Sequence, residues 1–160
     1  MKLWMSLYAT IWIVFLEFLL AMTPASGAVR AALLYVHIAL GMGLVALAFR
    51  NFDALRGTRA PGRIKRVSKA TFNMAIFMVA TGLLLAARVG AGLVIPVLGI
   101  SILGLIVFVH VVNAFAIITQ AAAVAITHDM WEDREFGKES EAGEVPPHPM
   151  AGIGTPPHHA

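Results

Sequence analysis

The sequence predicts an all-α, integral membrane four-helix bundle, and three observations carry that prediction. Of the 160 residues, 59% are hydrophobic and 13% are charged, the balance of a chain whose solvent is largely lipid. The apolar residues gather into four runs of about 20, the length a helix needs to cross a hydrocarbon core about 30 Å thick. Short segments rich in Gly, Pro or basic residues separate the runs. One domain of four spans (residues 1–128) is expected, followed by a tail of different composition (residues 129–160).

The first helix is expected over Leu3 to Met22. A signal peptide is the alternative, with Lys2, an apolar core and small residues around Ala25 to Ala28. The apolar run exceeds the roughly 7–15 residues of a signal core, so it reads as a span. Glu17 interrupts it near its far end. Thr23-Pro24-Ala25-Ser26-Gly27 makes a tight turn. The second helix is expected from Ala28 to Arg50, with Ser26 as its N-cap.

Residues 50–69 read as a basic loop broken at Pro61 and Gly62. It carries Arg50, Arg56, Arg59, Arg63, Lys65, Arg66 and Lys69 against one acid, Asp53. The third helix is expected over Ala70 to Arg88, and Gly90 and Gly92 form the next turn. The fourth is expected to start near Val94 to Pro96, with Pro96 in its first turn, and to run to about Trp131. Beyond it, the tail from Asp129 to Glu144 sets seven acids against Arg134 and Lys138 and then turns Pro-, Gly- and His-rich. Such a composition predicts disorder or docking to a partner.

The charge pattern predicts topology. A basic loop between spans belongs in the cytoplasm, so four spans put the N and C termini there too. The net charge of +3 is then a membrane signal, and no nucleic-acid partner is expected. The chain has no cysteine, which excludes disulfides, iron–sulfur clusters, thiolate haem ligation and thiol nucleophiles.

Two apolar runs contain a histidine. His37 lies inside AALLYVHIALGMGLVALA, and His110 lies in the fourth run with Asn113 one turn later. An ionisable group inside a membrane helix is costly and marks a functional site by default. The second and fourth helices run in the same direction and can sit diagonally across a bundle. His37 is about 10 Å past Arg30 and His110 about 21 Å past Pro96 at the α-helical rise. Equal depth therefore requires the fourth helix to begin about two turns outside the bilayer.

With the depths matched, one planar haem fits between the helices, held by a neutral imidazole on each side. Gly41, one turn after His37, would leave room for the macrocycle, and Gly43 and Gly99 could thin the walls. Asn113 would hydrogen-bond a ring nitrogen or a porphyrin substituent. Arg30 and Arg88 are the arginines placed to meet haem propionates. Glu17 is expected opposite Arg30 to Leu33, as an ion pair or a protonated acid. The competing readings are a quinone or proton-relay role, or plain polar contacts between membrane helices. Asn73, Thr81 and Gln120 read as interhelical hydrogen-bonders, and Trp4 and Trp131 as interfacial anchors. His128 is expected exposed, and His148, His158 and His159 lack the spacing of a structural zinc site.

One histidine in the second helix and one in the fourth resembles one half of the haem A synthase fold. It is also similar to the four-helix haem-binding core of the cytochrome b class. The match is Leu34-x-x-His37-x-x-Leu40-Gly41 together with His110, and it spans roughly residues 1 to 128. It implies bis-histidine ligation by His37 and His110. The chain departs from the synthase pattern at Leu34 and Ile38, where an acid and an arginine would stand. It departs from cytochrome b in having one histidine per helix where two are usual.

The function expected from the sequence is a membrane b-type cytochrome with one haem b. It would transfer electrons beside other subunits of a respiratory or related complex, with quinone as a further partner. The alternatives are a non-catalytic accessory subunit of such a complex and a half-size haem-modifying enzyme.

Overall fold

The structure is a computed structural model that describes the backbone of residues 2–142 and the side chains of residues 2–135. Four helices, α1 (Leu3–Met22), α2 (Gly27–Arg56), α3 (Gly62–Ala86) and α4 (Ile102–Ala142), form an up-down-up-down bundle. Each is long and apolar enough to cross a membrane. Contacts run α1–α2, α2–α3, α3–α4 and α4–α1, so α2 and α4 face each other across a diagonal and run parallel. One end of the bundle holds the start of α1 and the α2–α3 connection (the terminal end). The other holds the α1–α2 turn and the segment between α3 and α4 (the hairpin end).

Each helix buries one narrow stripe. In α1 it is Ser6, Leu7, Thr10, Val14 and Glu17; in α2 it is Leu44, Ala48, Asn51 and Leu55. Both repeat every three or four residues, the period of one helical face. Small and polar residues recur in the stripes because lipid-solvated helices associate through close packing and interhelical hydrogen bonds. Asn51 Nδ2 donates to Thr10 Oγ1 at 2.9 Å, and Thr71 Oγ1 donates to Gln120 Oε1 at 3.1 Å. Large apolar side chains such as Trp12, Tyr35 and Phe108 point outward, towards lipid.

Three boundaries differ from expectation. The basic segment is mostly helix: α2 continues to Arg56 and α3 begins at Gly62, leaving Gly57–Pro61 as the connection. The reason is packing. Leu55, Ala60 and Ile64 are buried against Leu7 and Val124, so the core extends into the segment despite its charge. Lys65 Nζ closes the end of α2 by donating to the carbonyls of Thr58 at 2.7 Å and Arg56 at 3.2 Å, a favourable place for a cation.

The second difference is a small hairpin before α4. Strands β1 (Val94–Ile95) and β2 (Ile100–Ser101) pair antiparallel, with Val94 opposite Ser101. Pro96 therefore lies in a turn between strands and not in a helical first turn. Gly90 has φ +77°, and a Cβ there would stand 2.5 Å from Ile102 Cγ2, so only glycine suits the position. The helix starts later because Ser101 caps it: its Oγ accepts from the N–H of Gly104 at 3.0 Å.

The third difference is that α4 runs on past its expected end near Trp131. It continues to Ala142, so the start of the acidic segment is helical. The rest of the expected tail, including His148, His158 and His159, lies outside the described residues.

Candidate functional site

His37 on α2 and His110 on α4 meet across the diagonal of the bundle. Their ring centroids are 6.3 Å apart and their planes are inclined by 53°. His37 lies about 15 Å from the start of its helix and His110 about 12 Å from the start of its own, at the α-helical rise. The hairpin removes the depth problem by holding Val94–Ser101 outside the helix.

Each imidazole is held through Nδ1. His37 Nδ1 meets the carboxylate of Glu17 from α1, and Glu17 is 7% exposed. A carboxylate can only accept, so an ionised Glu17 faces a proton on His37 Nδ1. His110 Nδ1 lies 2.9 Å from Thr81 Oγ1. That hydroxyl has one proton, shared between the carbonyls of Phe77 and Met78 at 3.0 Å each. A His110 tautomer with its proton on Nδ1 donates to this hydroxyl and keeps its Nε2 lone pair. Each imidazole thus has an oxygen of a neighbouring helix against its Nδ1. This is how metal-binding imidazoles are set in proteins.

Thr81 was expected to bond between helices and does. The Glu17 expectation is corrected: its partner is His37 and not Arg30. The sequence places Glu17 at the right height but does not fix the rotation of α1 about its axis, which decides the partner. Gly82 emerges as a site residue only in the structure. A Cβ on it would stand 3.2 Å from His110 Cε1, so the glycine lets the ring lie against α3.

The remaining expected residues sit as follows. A Cβ on Gly41 would lie 3.6 Å from Glu17 Oε1 and 3.9 Å from Val79 Cγ2, so its nearest neighbour is the carboxylate that holds His37. Gly43 and Gly99 have nothing within 4 Å of such an atom. Asn113 is buried and donates to the carbonyl of Met74 at 2.9 Å and to Met78 Sδ at 3.6 Å. It ties α4 to α3 and does not reach a ring nitrogen, because Thr81 already holds that position. Arg30 is exposed and lines a groove of about 400 Å³ that also reaches His37, Leu33 and Leu34. Arg88, also exposed, ends α3 at φ +54°. Its own N–H bonds to Leu85 and that of Val89 to Leu84, a helix stop that usually uses glycine.

Around the histidines the packing changes. Every fully buried apolar side chain among the described residues lies at, or on the terminal side of, a layer formed by Val14, Leu44, Ala75 and Ile117. On the hairpin side of that layer the buried residues are Glu17, Thr81 and Asn113. His37 and His110 each stand seven residues from the layer, about 10 Å along their helices. The site is therefore an imidazole pair in a part of the bundle not closed by apolar packing. His128, expected exposed, is 2% exposed; it completes the stripe Ala121, Val124, Ala125 at helical spacing, which is the signal that marks it as inward-facing.

Comparison with known protein families, with curated proteins and with solved structures finds no match.

Proposed function

We propose that this chain is a small membrane b-type cytochrome in which His37 and His110 hold one haem b between α2 and α4. The observation that carries the reading is the imidazole pair itself, with an oxygen against each Nδ1 and the rings 6.3 Å apart. Imidazole nitrogens bond first-row metals at about 2.0–2.1 Å, so two imidazoles on opposite sides of one ion hold their centroids roughly 6 Å apart. The lack of buried apolar side chains around the pair and the closeness of Gly82 to His110 fit a flat ligand.

A bound haem supplies a reversible one-electron iron couple. The chain's own residues do the rest. Glu17 and Thr81 fix the two rings and their tautomers. Glu17 also places negative charge behind His37, which favours the oxidised state of a bound metal. Arg30, in the groove shared with His37, is the residue placed to receive propionates. Electron exchange with other subunits of a membrane complex, or with a quinone, follows from this reading. By the positive-inside rule the basic segment 50–69 favours a cytoplasmic terminal end and cytoplasmic termini, which would leave the histidine pair in the half of the bilayer facing away.

A pyridine haemochrome spectrum of the purified protein tests this directly, and a b-type α-band is the expected result. A protein extracted from haem-replete membranes without Soret absorption sinks the proposal, and the accessory-subunit reading then replaces it. A topology reporter fused after Ala160 should be active only on the cytoplasmic side.

A further inference from the structure

We infer that His128, Asp129 and Glu132, at the terminal end of α4, form a binding site for a divalent first-row cation. It is separate from the histidine pair, since His128 lies about 27 Å along α4 from His110. One ligand atom from each of the three residues falls within 4.8 Å of the others.

The cluster is more than an acidic patch, because His128 is 2% exposed and its buried Nδ1 has no hydrogen-bond partner. Leaving a buried polar atom unsatisfied costs about 1–3 kcal/mol. That atom lies 3.6 Å from Glu132 Oε2, too far for a hydrogen bond. Two ligand atoms sharing one tetrahedral zinc ion at about 2.0–2.2 Å stand roughly 3.4 Å apart, close to that separation.

Asp129 is already oriented. Tyr8 from α1 donates its hydroxyl proton to Asp129 Oδ2 at 2.9 Å, which leaves Oδ1 as a ligand and supplies the outer hydrogen bond such ligands use. The side chain of Glu132 is 46% exposed, so it can close on an ion without disturbing the core. One imidazole and two carboxylates suit a borderline cation and balance its charge. Three protein ligands leave a fourth position open. A bound ion would join α4 to α1 through Asp129 and Tyr8 at the end of the bundle where the helices leave the bilayer.

Equilibrium dialysis of the full chain in detergent against zinc(II) alone is the test. His37, His148, His158 and His159 are replaced by alanine throughout, so that neither the tail nor the histidine pair adds ligands. The expected result is one zinc per chain, with affinity falling at least tenfold in His128→Gln and in Glu132→Gln. Tyr8→Phe should weaken binding about tenfold, as loss of an outer hydrogen bond does. Glu132→Gln is decisive, because so exposed a side chain can change without unfolding the bundle, and gel filtration confirms that it has. No stoichiometric zinc, or equal affinity in the parent and Glu132→Gln, overturns the assignment.

Discussion

At the terminal end of the bundle, Leu7, Leu55, Ile64 and Val124 pack into a dry cluster in which Leu55 is wholly buried. At the hairpin end the buried residues are Glu17, Thr81 and Asn113, and among the described residues no apolar side chain there is fully enclosed. Both ends have polar side chains inside. Those at the terminal end bond mostly to one another and to backbone, as Thr10 does to Ser6 and Asn51. At the hairpin end Glu17 and Thr81 are turned towards two imidazoles, and Asn113 ties α4 to α3. The contrast teaches that one half of the bundle supplies cohesion, which frees the other half to present groups in fixed orientations. Regions poor in buried apolar contacts are the ones able to open or accept a ligand.

The sharpest way to break the contrast is to remove an imidazole. His37→Ala or His110→Ala should convert a low-spin, six-coordinate absorption spectrum to high spin, or abolish it. The α-helical circular dichroism should be unchanged, since neither residue belongs to the packed clusters. A low-spin spectrum surviving in both variants would refute the assignment.

Removing cohesion should do the reverse. Leu55→Ala or Ile117→Ala, each at a fully buried site, should lower unfolding stability in detergent by about 2–5 kcal/mol. Leu84→Ala, at the hairpin end and 42% exposed, should cost about 0.5 kcal/mol or less. Equal losses at the two ends would erase the distinction drawn here.

Glu17→Gln keeps an acceptor for His37 Nδ1–H while removing charge. Redox titration should show the midpoint potential rising by about 60 mV, the one-electron equivalent of a tenfold change, with the spectrum still low-spin. The smallest effect should separate two glycines. In Gly82→Ala the new methyl meets His110 at 3.2 Å, whereas in Gly41→Ala the nearest atom is at 3.6 Å, an ordinary contact. The first should shift the Soret band or lower haem retention a few-fold; the second should leave both unchanged.

Much of this was legible in the sequence. The four spans followed from hydropathy and length, and Leu3 and Met22 bound α1 as expected. The diagonal pairing of His37 with His110 followed from connectivity, because alternate helices of an up-down bundle run parallel. What stayed hidden depends on rotation and on tertiary packing. The partner of Glu17 turns on the angular setting of α1, which no periodicity in one helix determines. The helical character of the basic segment was masked because charge outweighed a buried stripe of Leu55, Ile64 and Ser68. The hairpin was missed because Pro96 is as compatible with a helix start as with a turn, and Ser101 alone among the nearby residues supplies the cap.

That hairpin has a consequence for how the chain can change in length. Adding one residue to α4 between Ile102 and His110 turns every later side chain by about 100° relative to the start of the helix. His110 would leave Thr81 and Gly82, or else the stripe from Asn113 to His128 would leave the core. An added residue between Val97 and Gly99 meets no such constraint, because the strands on either side can close over a longer turn. Insertions and deletions in the hairpin-end half should therefore be tolerated in this short stretch and rejected in the helix it introduces. The spacing from Ser101 to His110 acts as a fixed ruler, and the turn before it as the slack.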